Sequence, residues 1–204
     1  MKVFKNLLMY GLPFWLFLLL FFFYGYGKTD IATINKIAGL LAISLLGTSF
    51  VIGPLSFFLP NLFIPLRPYR KYLGIFGFAV ALSHATISFI FVYNADLFFL
   101  LFDPANERLF AVYAGLTALF YFFFMTFIST AWAVKIVGGK WWKILQTGGY
   151  FAFAMAIVHF VLAEMQNGVF VVKRPLGRIV FVFAVIVVLL RMTVFLLKLF
   201  STRR

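Results

Sequence analysis

The chain has no cysteine, only two histidines and only five acidic residues among 204. The missing cysteine excludes disulfide exchange, CxxC metal sites and covalent attachment of a c-type haem. Charged residues make up 11%, against about a quarter in a soluble domain, which excludes an ordinary soluble fold. There is no GxGxxG segment and no P-loop. No stretch is left over for a nicotinamide domain either, so the chain cannot take hydride from NAD(P)H unaided.

What is present is apolar. Hydrophobic residues are 65%, aromatics 22%, and the mean hydropathy is +1.08. This is the composition of an integral membrane protein. The net charge of +13 comes from lysines and arginines at the ends of apolar runs, a pattern that reports membrane topology and lipid contact rather than nucleic-acid binding. The expected fold class is all-α: a polytopic six-transmembrane-helix bundle forming one domain over residues 1–204. The predicted spans are 7–26, 37–59, 72–95, 109–134, 144–163 and 179–197. The first run follows a basic start but ends in aromatics and glycine with no small-residue cleavage site, so a retained helix is expected rather than a signal peptide. Trp141 and Trp142 sit where an interface belt is expected, and the FFLLF segment after Asp96 is expected on the membrane surface.

Six spans place both termini on one side. That side collects Lys2, Lys5, Arg67, Arg70, Lys71, Lys135, Lys140, Lys143, Lys198, Arg203 and Arg204. The other side collects Lys28, Lys36, Arg108, Lys173, Arg174 and Arg178. The excess of positive charge predicts that both termini are cytoplasmic.

Both histidines lie in apolar runs. His84 is 13 residues beyond Lys71 and His159 is 16 beyond Lys143, so a 1.5 Å rise puts them roughly 20 and 24 Å from the basic anchors. Two helices that present imidazoles at one level can supply both axial ligands of a single haem iron. Gly77, Ala81, Ala85 and Ser88 near His84, with Ala152, Ala156 and Ala163 near His159, suggest room for a flat macrocycle, though the same small residues also serve helix packing. Two histidines alone are too few ligands for zinc or copper. The span interiors hold no Asp or Glu to make a proton relay. A purely structural, hydrogen-bonding role for the histidines is the competing reading.

The segments RPYRKYLGIFGFAVALSHATISF, FISTAWAVKIVGGKWWKILQ and YFAFAMAIVHFVL resemble the ferric reductase-like transmembrane family, in particular its MsrQ/YedZ branch, over residues 67–192. The resemblance implies a b-type haem held by His84 and His159. The family's earlier span-five histidine is replaced here by Gln146, so one haem is expected rather than two. The resemblance further implies an oxidoreductase subunit in the cell (inner) membrane. Electrons would come from a cytoplasmic flavin reductase or a quinol. They would pass to an outer-side acceptor, either a periplasmic methionine sulfoxide reductase or ferric iron.

A haem in the outer half leaves roughly 20 Å to the inner face, a gap that FMN or a quinone would shorten. Arg191, in the inner half of the sixth span, is the candidate contact for such a cofactor, or else snorkels to the headgroups. The alternative function is a cofactor-free membrane scaffold or small transporter, whose polar lining would have to come from hydroxyls such as Ser44, Thr48, Ser83, Thr117 and Ser129, with Gly53-Pro54 as a helix break.

Overall fold

The computed structural model describes residues 2–201, and for residues 2–5, 8 and 131 only the backbone. Of the basic residues counted above, Arg203, Arg204 and the side chains of Lys2 and Lys5 therefore lie outside the described residues. The chain is helical almost throughout. In order it forms α1 (Lys2–Leu19), α2 (Ile31–Phe58), α3 (Pro60–Phe63), α4 (Tyr69–Ile87), α5 (Leu97–Leu101), α6 (Leu109–Ile128), α7 (Ala131–Val137), α8 (Gly139–Thr147), α9 (Gly149–Ala163), the strands β1 (Met165–Gln166) and β2 (Val169–Phe170), and α10 (Pro175–Ser201). Five apolar segments are long enough to cross a membrane: Ile31–Phe58, Tyr69–Val92, Leu109–Ile128, Gly139–Ala163 and Pro175–Ser201. Met9–Tyr24 is a shorter apolar helix. The protein is thus an all-α, multi-pass integral membrane protein.

α2 is the buried centre of the bundle. Ile37, Leu45 and Ile52 on it are at most 2% exposed, and α4, α9 and α10 pack against it, while α9 also packs along α6. The outer faces carry many exposed aromatics, Phe23, Phe98, Phe110 and Phe120 among them, as expected where the solvent is hydrocarbon. Asp30 starts α2, its carboxylate accepting the Thr33 N–H at 2.9 Å. That bond holds the Asp30 carboxyl below its ordinary value of 3.8. The charged cap is therefore complete above that value and is lost as pH falls through the depressed one.

Several expected boundaries move, each for a local reason. The fourth span ends at Ile128 rather than residue 134, because Thr130 caps a new helix by accepting the Ala133 N–H. The Trp142 indole donates to the Ile128 carbonyl at 3.2 Å. Trp142 thereby closes the end of α6, a role the interface-belt reading did not contain, whereas Trp141 is 62% exposed. Leu97–Leu101 forms the short helix of the FFLLF segment, capped by Asp96. The loop after the fifth span contains a hairpin that went unpredicted. Its turn, Asn167 (φ 48°) and Gly168 (φ 76°), is the Asn-Gly pair that favours a two-residue turn with both φ positive.

Pro54 does not break α2, which runs on to Phe58. Proline lacks the N–H that would bond the Phe50 carbonyl four residues back, and the Tyr150 hydroxyl takes that carbonyl at 2.9 Å. Gly77 is where α4 lies closest on α2: a Cβ there would stand 2.9 Å from Leu46 Cγ and 3.1 Å from the Leu46 backbone nitrogen. Gly77→Val is expected to prise α4 off α2 and cost about 1–3 kcal/mol. Unfolding by denaturing detergent measures this, and an unchanged midpoint would mean the contact is slack.

Candidate functional site

His84 stands on α4 and His159 on α9. The two helices pack on different partners, α4 on α2 and α9 on α6, yet their imidazoles meet. The ring centres are 6.2 Å apart with planes at 73°, so the level match inferred from helical rise is realised in three dimensions.

Each ring is held in the same way. His84 Nδ1 lies 2.9 Å from the Asn35 carbonyl on α2, and His159 Nδ1 lies 2.8 Å from the Ala111 carbonyl on α6. A carbonyl only accepts, so in both rings Nδ1 carries the proton and Nε2 keeps its lone pair. This is the tautomer a metal-ligating histidine needs, with its outer nitrogen anchored.

Glycine makes the approach possible. Four residues after each acceptor carbonyl comes a glycine, Gly39 after Asn35 and Gly115 after Ala111. A Cβ on Gly115 would sit 2.7 Å from His159 Nδ1, and one on Gly39 would sit 3.2 Å from His84 Cε1. In a helix the carbonyl of residue i points toward residue i+4, so only a bare i+4 position lets an imidazole lie over it. The chain shows no repeat as a sequence, but the structure uses this arrangement twice.

Three of the seven small residues expected beside the ligands are employed otherwise. Gly77 meets Leu46, as above. Ser88 accepts the Asn35 side-chain N–H at 2.8 Å, and Ala152 is fully buried in the apolar core. The close approach to the rings comes instead from Gly39 and Gly115, on the partner helices. Sequence reasoning missed both glycines, because nothing in the chain says which helix lies against which.

The fit to a haem rests on this geometry. An imidazole centre lies about 1.2 Å behind its nitrogen and a metal–imidazole bond is about 2.0 Å, so two rings on one metal have centres about 6–6.5 Å apart. The observed separation agrees. Asn35 Oδ1, beside His84, is buried without a hydrogen-bond partner, leaving one polar contact for a ligand. Among the described residues no group of three or more His, Cys, Asp or Glu side chains is placed to hold a metal ion. A π-helical turn, Ser88–Val92, follows within a turn of His84, where such irregularities often mark functional sites.

Gln146 is engaged elsewhere. Its amide donates to Ser129 Oγ at 2.9 Å. Arg191 is not brought to the histidines. Its guanidinium lies 5.0 Å over the Tyr150 ring, nine residues and so roughly 14 Å of helix before His159. All five span hydroxyls considered for a polar transport lining bond the carbonyl four residues back: Ser44, Thr48, Ser83, Thr117 and Ser129. At the histidine end, Lys36 meets Glu164 at 3.9 Å. They border a cavity of about 170 Å³ that also touches Gln166, Lys173 and Arg174.

No family model matches the chain. Residues of the chain align with two curated proteins, each described as magnetosome protein MamZ. The one from Paramagnetospirillum magneticum is 28% identical over 143 residues, which is 70% of this chain and 22% of that protein. The one from Magnetospirillum gryphiswaldense is 29% identical over 143 residues with the same coverage. The matched segment spans about a fifth of the length of these relatives.

Proposed function

We propose that this chain is a haem-binding electron-transfer subunit of a membrane oxidoreductase, related to the ferric reductase-like transmembrane family and its MsrQ/YedZ branch. One b-type haem is held between α4 and α9 by His84 and His159. The observation that carries this reading is the close pair of imidazoles, their centres 6.2 Å apart, each with its Nδ1 proton on a backbone carbonyl. A haem with two imidazole ligands passes single electrons and offers no open position to oxygen.

The chain's own residues orient and insulate. The Asn35 and Ala111 carbonyls hold both rings in the tautomer that leaves Nε2 free to ligate, and strengthen Nε2 as a metal ligand. The span hydroxyls Ser44, Thr48, Ser83, Thr117 and Ser129 spend their protons on carbonyls of their own helices. In this reading Met9–Tyr24 is a sixth span and both termini are cytoplasmic. The basic loops, with Arg67, Lys71, Lys140 and Lys143, face the donor, a flavin reductase or a quinol. The histidine end faces the acceptor, a methionine sulfoxide reductase partner or ferric iron.

The test is a dithionite-reduced minus oxidised visible spectrum of the purified protein, with haem counted per chain. A sharp b-type α-band is expected, with one haem per chain, and His84→Ala or His159→Ala should each abolish it. A protein that stays colourless when haem is supplied during expression would overturn the proposal and leave a scaffold or transporter.

A further inference from the structure

The two histidine anchors share a plan but not their residues. On one side Asn35 supplies the carbonyl, Gly39 the space and His84 the ring, and Ser88 follows one turn later on α4. On the other side the corresponding residues are Ala111, Gly115, His159 and Ala163. Two polar side chains on the first side are therefore two methyl groups on the second. The Ala111 side holds its imidazole without a polar side chain, so anchoring a ring does not call for the side chain of Asn35 or of Ser88.

Both side chains have hydrogen-bonding capacity to spare. Asn35 is 7% exposed. Its amide nitrogen lies 2.8 Å from Ser88 Oγ, and its Oδ1 is buried without a partner. Among the described residues the Asn35 amide is the one partner of the Ser88 hydroxyl, whose proton is not spent on its own helix as those of the five hydroxyls above are. An amide left half-bonded in an apolar bundle is costly. The Asn35 amide can turn over, exchanging its oxygen and nitrogen. Oδ1 then accepts the Ser88 proton, and Nδ2 takes the buried place as a donor with no acceptor in the protein.

We infer that the Asn35 amide, oriented by the Ser88 hydroxyl, binds a carboxylate side chain of the haem. The inference rests on the haem reading above. A haem carries its carboxylates along one edge, and an ionised carboxylate in an apolar bundle needs donors or a polar end. Ser88 lies one turn beyond His84, toward the end where Lys36 meets Glu164, so the pair stands on the polar side of the His84 ring. An amide N–H bonded to a carboxylate is roughly twice as strong as one bonded to a neutral acceptor. The two imidazoles recognise the metal, and Asn35 recognises the acid edge of the macrocycle. Asn35 thus serves twice, its backbone carbonyl holding His84 and its side chain meeting the cofactor.

The experiment is reconstitution of the full chain, purified without haem, with haem and with haem dimethyl ester, which has no free carboxylate. Titration of the Soret band gives both affinities, and their ratio isolates recognition of the carboxylates from ligation of the iron. The unaltered chain is expected to bind haem about tenfold or more tighter than the ester. The double variant Asn35→Leu with Ser88→Ala replaces the polar pair by apolar groups and keeps the backbone carbonyl under His84, so it should fold. Its ratio should fall to about 1. Asn35→Asp can still accept the Ser88 proton but sets one carboxylate against another, so its ratio should fall at least as far. An unchanged ratio in either variant overturns the inference and leaves the haem reading standing. If neither compound shifts its Soret band on addition of the unaltered chain, the haem reading fails and this inference fails with it.

Discussion

At the proposed haem site, Gly115→Ala is expected to weaken haem binding about 10–100-fold while leaving the helices in place. The added methyl would stand 2.7 Å from His159 Nδ1, inside any tolerable contact. The neighbouring atoms belong to a ring held at 2.8 Å by the Ala111 carbonyl, so the ring must swing away and lose that bond. Loss of such an anchoring partner weakens metal binding about 10–100-fold. Gly39→Ala should be milder, since its methyl would meet His84 at 3.2 Å and a small shift relieves it. Haem per chain, read beside far-ultraviolet circular dichroism, checks both. Full haem occupancy in Gly115→Ala would show that the close approach at His159 is dispensable.

The oxidised protein is expected to show a low-spin electron paramagnetic resonance spectrum dominated by one strong low-field feature. The imidazole planes are at 73°, nearly perpendicular. On the proposed haem iron, rings at this angle would each donate π-electrons into a different one of the two metal d-orbitals. Those orbitals stay close in energy, orbital angular momentum survives, and the g-tensor becomes strongly axial. Parallel rings would split the orbitals and yield a three-line rhombic spectrum. The angle is imposed by four helices through two carbonyl anchors, so freeing one ring should release it. Gly39→Ala, where haem is retained, should therefore move the spectrum toward the rhombic form. A rhombic spectrum in the unaltered protein would mean that the rings turn when haem is bound.

The membrane class was legible at once, because burial in lipid demands long apolar helices and the chain has little else. The histidines were legible for the same reason: a titratable group in an apolar run stands out where nothing around it is polar. Their common level followed from the constant rise of a helix. Boundaries were less legible. Hydropathy cannot see Thr130 start a new helix after Ile128, since both sides of the break are apolar. The Asn167-Gly168 turn was open to a direct reading, but the short strands beside it carry little apolar alternation. Gly77 and Ala152 could be read either way, because small residues ease both helix packing and ligand access, and spacing alone does not separate the two; the structure places both in packing.

The sequence by itself determined that this is a helical membrane protein whose two histidines lie at one depth, because composition and helical rise are local properties. Tertiary structure decided the rest. It chose α2 as partner of α4 and α6 as partner of α9, and so made Gly39 and Gly115 the residues that admit the rings. It set the Arg191 guanidinium over the Tyr150 ring, and used the Tyr150 hydroxyl to occupy the carbonyl that Pro54 leaves free. These are relations between segments distant in the chain. Their energies come from close packing and from hydrogen bonds that cannot be left unmade in lipid, and neither is expressed in the order of residues along one helix.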